Sequence, residues 1–389
     1  MAASGSSRRR SPWPDLPAEL LGLLLLRLPS HADRVRLPSV CRAWRSAARL
    51  QHPLPPLLPW FALPDGTFLS LPDGVVHRLP VPDDAFYGFA TGRALFLMHE
   101  DGSFSLMSPS STATVALPEP PFWFPRDKIS KVVVSDNLIV FLRKSKVAIY
   151  TRDLPAWAST TCMAWTSPAT NAIADIAIFQ GKLYVLTIQN ALHVLDAGGQ
   201  QITNVCCISK TPITSHDDGH IWNSYHDYYN ADRYVRRDYL IVSGDRLLMV
   251  NLMTLLPRTY PRRTFDLQRT YQFSVFEASN LSCGRGQWRD VSTLMGRALF
   301  ISQGCSESVP ATAGNKCDTT GVRQDCIYFV TKDDTSSTGL HLVDSFLKSA
   351  VIYNMRDQTL KQLPLEASAA SVLGTCDGMW PTSWLFPRT

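Results

Sequence analysis

The sequence predicts a small all-α module of three helices followed by a large all-β domain, most simply a β-propeller of about six or seven blades. Composition changes near residue 53, from a segment rich in Leu, Ala and Arg to short runs rich in Pro, Gly, Thr, Val and aromatics. The second part contains many short strand-like runs separated by turns, and regular spacing of this kind is typical of propellers. A large β-sandwich or two smaller β-domains fit the same pattern.

The change in composition divides the chain into four segments. We expect residues 1–11 to form a disordered tail, residues 12–52 the helical module, residues 53–59 a linker and residues 60–389 the β-domain. The linker contains four prolines, which prevent a continuous helix and favour an extended chain.

Helical spacing and helix-breaking residues define the helices of the module. Pro17 occupies the position of a first helical residue, leucines then recur at helical spacing, and Pro29 ends the helix. Ser30 is placed to cap a second short helix, and a third helix carries Val40 and Trp44 on one face. About 40 residues with this much leucine cannot bury their apolar surface alone, so we expect the module to need a partner.

Hairpin signals predict the blades of the β-domain. Residues 68–71 and 75–79 flank a Pro-Asp-Gly turn, and residues 92–98 and 103–107 flank an Asp-Gly turn. Alternating or β-branched runs predict further strands at 131–134, 138–142, 147–150, 173–179, 182–187, 191–196, 239–243, 246–251, 271–277, 298–301, 326–330 and 350–354.

Composition excludes several functional classes. The net charge of +5 is mild for 389 residues, and neither short arginine run is long enough to predict nucleic-acid binding. The longest apolar run, residues 20–26, is far shorter than the ~20 residues of a membrane span. None of the nine cysteines forms a C-x-x-C pair and no signal peptide is evident, so we expect reduced thiols in a cytoplasmic or nuclear protein.

Three motifs in the helical module occur in a fixed order. They are Leu-Pro-Ala-Glu-Leu-Leu at 16–21, Leu-Pro at 28–29 and Val-Cys-Arg-Ala-Trp-Arg at 40–45. Together they resemble the F-box, whose pattern is Leu-Pro-x-Glu-Leu-Leu, a Leu-Pro after one helix and Val-Cys-Arg-x-Trp-Arg. Pro38 is a departure, because most such modules are helical there, and we expect it to shift or shorten the second helix.

The resemblance implies that the module packs against a Skp-type adaptor, which bridges to a cullin-RING ligase. The implied contact and core positions are Leu16, Pro17, Leu20, Leu21, Leu24, Leu28, Val40, Cys41 and Trp44. The alternative is that these residues only pack against the β-domain.

Residues 181–186, 296–301, 325–330 and 380–387 resemble the C-terminal domain of a large group of plant F-box proteins, a kelch- or propeller-like domain. The resemblance implies a non-catalytic substrate-recognition subunit of an SCF-type ubiquitin ligase whose β-domain binds an unknown protein target. Two alternatives stay open: an F-box scaffold that sequesters its partner without degradation, and a propeller enzyme with polar residues converging at its central channel.

Two long polar stretches, residues 210–233 and 302–323, are predicted to be recognition loops, with disordered insertion as the alternative. In the first we select as target-binding candidates His220, Trp222, Tyr225 and Tyr228. Histidines at i and i+4 could share a metal on a helix, but the surrounding Thr, Ser, Asp, Gly and Asn predict a loop. We find no phosphate-binding loop and no Gly-x-Ser-x-Gly motif, and we expect no metal, no cofactor and no catalytic residue.

Overall fold

The computed structural model of the chain places two sets of elements, three helices before residue 51 and six β-sheets after residue 59. It describes residues 16–28, 31–50, 58–63, 66–70, 75–92, 94–109, 113–118, 129–135, 138–143, 146–152, 160–166, 172–196, 203–209, 233–256, 270–281, 285–302, 304–311, 322–330, 350–363 and 383–386.

The helices are α1 (Ala18–Arg27), α2 (His31–Arg36) and α3 (Arg42–Leu50), with a 3₁₀ turn at Leu37–Ser39 between the last two. Pro17 has a non-helical ψ of 143° and occupies the N-cap position. The helix α1 therefore begins at Ala18, one residue later than predicted. The 3₁₀ turn contains Pro38, which explains why α2 stops at Arg36. Among the described helices, none combines the length and apolar character that a membrane span requires.

Each β-sheet is one blade of a six-bladed propeller, as predicted. Blade one contains β1 (Trp60–Ala62), β2 (Phe68–Leu69), β3 (Val76–His77) and the last strand, β25 (Trp384–Leu385). Blade two contains β4 (Ala85–Thr91), β5 (Ala94–His99), β6 (Phe104–Met107) and β7 (Thr114–Leu117). Blade three contains β8 (Lys131–Val134), β9 (Leu138–Arg143), β10 (Lys146–Arg152) and β11 (Thr160–Thr166).

The remaining three blades follow in chain order. Blade four contains β12 (Ile173–Phe179), β13 (Lys182–Thr187), β14 (Leu192–Asp196) and β15 (Thr203–Ile208). Blade five contains β16 (Arg233–Ser243), β17 (Arg246–Leu256), β18 (Thr270–Ser279) and β19 (Gln287–Asp290). Blade six contains β20 (Arg297–Ile301), β21 (Ser306–Pro310), β22 (Cys326–Val330), β23 (Ala350–Asn354) and β24 (Thr359–Gln362).

The apolar core of the propeller lies between blades. Six clusters of buried side chains correspond to the six interfaces, and each cluster draws its residues from two neighbouring blades. Between blades two and three, for example, the Phe96 and Phe141 rings meet edge to face with centroids 6.0 Å apart. Alternation within each strand therefore directs one set of side chains to the preceding blade and the other set to the following one.

The last strand closes the ring. β25 pairs antiparallel with β1, joining Phe61 to Trp384 in register, so blade one is built from both ends of the described propeller. Trp384 is fully buried, its indole N–H donates to the Ile301 carbonyl at 3.1 Å, and its ring contacts Phe61 and Phe300. A single side chain thus links blade one to blade six.

Blade six departs from a simple meander. β20 pairs antiparallel with β21 on one side and parallel with β22 on the other. The predicted recognition loop at 302–323 is therefore wrong where it contains β21. Next to that strand, a Cβ at Gly304 would lie 2.9 Å from the Phe89 ring, and the Gly92 amide donates to Cys305 Sγ at 3.1 Å. This part of the stretch is packed against blade two.

The strands predicted from alternation are all present, but those of blade five are longer than expected. β16 and β17 each have 11 residues and β18 has 10. The strands that the sequence did not predict are mainly blade edges, such as β7, β11, β15, β19 and β24, together with the inner strand β4 and the short strands β1 and β25.

Ring closure generates a stability prediction. Replacing Trp384 by Ala removes a fully buried ring at the junction of blades one and six, and we expect it to lower the free energy of unfolding by about 3–5 kcal/mol. Phe86→Ala is the matched control, because that ring is 47% exposed, and it should change stability by less than about 1 kcal/mol. Urea denaturation followed by fluorescence measures both. Equal effects would show that closure through β25 does not stabilise the propeller.

Candidate protein-binding surfaces

The helical module has a small core of its own. Leu21 and Leu25 of α1 are buried against Leu37, Ala47 and Ala48 of the 3₁₀ turn and α3. The Arg34 guanidinium donates to the Leu28 carbonyl at 2.9 Å and so ties α2 to the end of α1. The core uses one side of α1 and leaves the other side uncovered.

The uncovered side of α1 is apolar. Leu20, Leu23 and Leu24 are 49%, 51% and 40% exposed, and their spacing of three and four residues places them on one helical face. Val40 and Leu50, at the beginning and end of the α3 region, are 62% and 73% exposed. Leucines rarely stay in water as a group, so this face has the properties of a binding surface.

The predicted adaptor-binding residues divide into three groups by exposure. Pro17, Leu20, Leu24 and Val40 are exposed; Leu16, Leu28, Cys41 and Trp44 are half-buried; and Leu21 is buried.

This division separates exposed positions from core positions, which the motif alone does not. Trp44 packs against the core of the module, and its backbone amide donates to Cys41 Sγ at 3.5 Å. Leu23 and Leu50 were not among the predicted residues. Leu23 could have been found from its spacing of three residues from Leu20.

The predicted target-binding residues His220, Trp222, Tyr225 and Tyr228 lie outside the described residues. Their role stays a prediction.

Polar side chains converge on the inner strands of the propeller, a set that the sequence did not reveal. Lys131 Nζ on β8 lies 2.7 Å from Asp175 Oδ1 on β12, and both side chains are more than 90% buried. Asp175 Oδ2 accepts a hydrogen bond from the Leu240 amide on β16 at 2.8 Å. One carboxylate therefore connects blades three, four and five. Its oxygens already accept three hydrogen bonds, which suits a structural tie rather than proton transfer.

Blade two contains a Ser-His-Asp arrangement that sequence reasoning also missed. His99 Nε2 lies 2.7 Å from Ser105 Oγ, and His99 Nδ1 lies 2.9 Å from Asp84 Oδ2. A hydrolase places these atoms in the same order, but its serine needs an open approach and nearby oxyanion donors. Ser105 is buried in a strand that is paired on both sides. The geometry favours a hydrogen-bonded tie between β5, β6 and the turn before β4.

Thiol and metal chemistry find little support in the described part of the chain. Five of its cysteines are free thiols, and burial raises the pKa of the Cys207 thiol. Cys207 is buried, whereas Cys206 is exposed because β15 is a blade edge. In the same residues, no three His, Cys, Asp or Glu side chains are arranged to hold a metal ion.

Both parts of the chain match known families. Residues 13–54 match the F-box domain, and residues 68–354 match the KIB1-4 β-propeller. The chain belongs to the KIB1-4 β-propeller family. The fold, the six blades and the helical N-terminal module agree with this assignment.

Similar proteins from Arabidopsis thaliana are F-box proteins. The putative F-box protein At3g25750 is 22% identical over 338 residues, which are 79% of this chain and 86% of the relative. F-box protein At2g17690 is 53% identical over 36 residues, and F-box protein SKIP23 is 45% identical over 51 residues. These two matches span only 9% and 12% of the relatives' lengths.

Solved structures with a related arrangement are distant. The β-propeller domain of Myceliophteria thermophila Cps50 (Swd1) has a TM-score of 0.31 and 11% identity, and the match covers 77% of this chain and 80% of that one. The WD40 domain of SCAP from fission yeast has a TM-score of 0.30 and 10% identity, with coverages of 73% and 53%. Similarity at this level carries no conclusion about function.

The contacts of Asp175 between blades predict how three substitutions rank in their effect on the unfolding free energy. Asp175→Ala leaves a buried ammonium and an unpaired Leu240 amide, so we expect a loss of about 3–5 kcal/mol in unfolding free energy. Lys131→Met should cost less, because Asp175 keeps its backbone donors. Asp33→Ala, which breaks the exposed pair with Arg36, serves as control and should cost less than about 1 kcal/mol. The account fails if Lys131→Met is the most damaging of the three.

Proposed function

We propose that this protein is the substrate-recognition subunit of an SCF-type cullin-RING ubiquitin ligase. In this role the F-box binds a Skp-type adaptor, the propeller binds a protein target, and other subunits carry out ubiquitin transfer. The observation that carries the proposal is the exposed leucine face of α1, on a module whose own core lies on the opposite side.

The energetics of that face support a stable partner. Fully burying one leucine side chain contributes roughly 1.5–3 kcal/mol, and Leu20, Leu23 and Leu24 are each about half exposed. An amphipathic helix commonly binds by placing such a face in an apolar groove of its partner. The apolar clusters of the described propeller lie between its own blades, and the module cluster contains only its own residues.

The propeller fits the role of a rigid receptor. Six interfaces hold its blades, and the connections between strands emerge at both ends of the ring. Binding residues are commonly found on loops held by such a scaffold. We infer a non-catalytic role for it, in agreement with the F-box relatives, and a cytoplasmic or nuclear location.

Adaptor binding should depend on exposed leucines and not on equally exposed residues elsewhere. In a pull-down with a purified Skp-type adaptor, Leu24→Asp should weaken binding by more than about ten-fold, because it places a charge in an apolar interface. Its unfolding curve should stay close to that of the wild type, since Leu24 is 40% exposed. Val115→Asp, at a 53% exposed position on β7, is the matched control and should bind normally.

A second variant separates recognition from folding. Leu25→Asp introduces the same charge one residue away, where the side chain is fully buried, and should unfold the helical module. If the folded Leu24→Asp variant binds the adaptor as well as the wild type, the proposed interface is wrong.

A further inference from the structure

The strands of blade five extend past those of blade four. β16, β17 and β18 have 10 or 11 residues, whereas β12, β13 and β14 have 7, 6 and 5. The contact between Asp175 and the Leu240 amide sets the alignment of the two inner strands. Residues 233–237 therefore lie beyond the start of β12, and four or five residues of strand correspond to roughly 13–16 Å.

One row of side chains on this extension faces the side of blade four. Arg236, Met253 and Gln272 are paired across β16, β17 and β18, so their side chains share a face. The same face carries Leu240 and Phe276, which belong to the cluster between blades four and five. Met253 is half-buried and Gln272 is exposed. The row continues the interface beyond the edge of blade four.

Arg236 is held in place from two sides. Its Nε donates to Asp238 Oδ1 at 2.9 Å, and one terminal nitrogen donates to the Asn190 side chain. The Asp238 carboxylate also accepts a hydrogen bond from Asn251 and is 5% exposed. The guanidinium has five N–H donors, of which these bonds use two, and the side chain is still 39% exposed. It is a fixed cation with donors left for an incoming acceptor.

The turn that holds Arg236 also carries an apolar side chain. Asn190 adopts a left-handed φ of 61°, and its carbonyl accepts the Trp288 indole N–H at 2.8 Å. Ile188, two residues earlier in the same turn, is 49% exposed, and its amide donates to the Ala172 carbonyl. The turn is fixed on both sides, and it presents Ile188 to solvent two residues before the asparagine that holds the arginine. We call Ile188, Arg236, Met253 and Gln272 the blade-five ledge.

Charge distribution indicates what the blade-five ledge binds. The described strands β16 and β17 and the turn between them, residues 233–256, contain four Arg and two Asp, and Arg236 is the arginine whose side chain lies in the row with Met253 and Gln272. We propose that the blade-five ledge binds the protein target through a segment in which an acidic side chain lies next to an apolar one. The carboxylate would accept hydrogen bonds from Arg236, and the apolar side chain would pack on Ile188 and Met253. This inference rests on the proposed role of the propeller as target receptor.

The test uses the full chain in complex with the Skp-type adaptor and a phage-displayed library of random 12-residue peptides. Enriched peptides are synthesised, and their affinities are measured by fluorescence polarisation. We expect them to share an Asp or Glu beside an apolar residue. Arg236→Ala should weaken binding by about ten-fold or more, and amidation of the peptide's acidic residue should then cause no further loss.

Matched variants keep the result interpretable if Arg236→Ala destabilises blade five by leaving Asp238 unpaired. Ile188→Asp changes an exposed position, should fold normally, and should also weaken binding about ten-fold. Arg78→Ala, an exposed arginine outside the blade-five ledge, and Val115→Asp, an exposed aliphatic on blade two, should leave peptide affinity unchanged.

Three outcomes would overturn the inference. The first is that the enriched peptides lack acidic residues, or that no enriched peptide needs Arg236 for binding. The second is that Arg78→Ala weakens peptide binding as much as Arg236→Ala does. The third is binding that appears only after Asp217 and Asp218 are changed to Asn. The chain's own residues 209–232 contain four Asp and one Lys, and they would then be the occupant. Because formation of the adaptor complex is measured in the same preparation, failure of the blade-five ledge is distinguished from failure of the F-box assignment.

Discussion

Pairing of β25 with β1 is the contact on which the propeller depends. Without Trp384 and Leu385, blade one has no inner strand. The apolar clusters between blade one and each of its two neighbours then each lose a buried residue. The two partners are more than 300 residues apart in sequence, so this contact joins the two ends of the described propeller and carries a high cost in loop-closure entropy. Since each blade buries its apolar faces against its neighbours, an open ring would expose two of them at once.

The closed ring and the helical module solve the burial of apolar surface in different ways. In the described propeller, strand alternation sends apolar side chains to both neighbours, and closure removes any first or last interface. The helical module is too small for this and leaves one leucine face of α1 in solvent. The same physical demand thus gives a propeller that buries its own apolar faces in one part of the chain and a module with an uncovered apolar face in the other.

Central strands were predictable because their apolar runs are bounded by turn residues, as in β13 and β22. Edge strands were not predictable, because one of their sides has no neighbouring strand and tolerates polar residues. The edge strands β7 and β24, for example, are exposed along most of their length. The polar sequence of β21 suggested a loop, yet its hydrogen bonds to β20 and the close packing of Gly304 make it a strand. Local composition does not report pairing of this kind.

The geometry of the candidate sites was harder to predict from the sequence than the fold was. The F-box motif predicts an adaptor-binding segment, but the difference in exposure between Leu24 and Leu25 depends on how α1 packs against α3. Lys131 and Asp175 are 44 residues apart, and Arg236 and Asn190 are 46 apart, so no local pattern relates them. The length of the blade-five strands was not predicted either, because the strands continue beyond the residues in which polar and apolar side chains alternate most clearly.

Hydrogen–deuterium exchange of the full chain, with and without a purified Skp-type adaptor, tests most directly whether the leucine face of α1 is the surface that the fold leaves for a partner. The account predicts that the adaptor slows exchange within residues 16–50 and leaves the strands of the six blades unchanged. Slower exchange in the blades with none in α1, or no change anywhere at saturating adaptor, would contradict it.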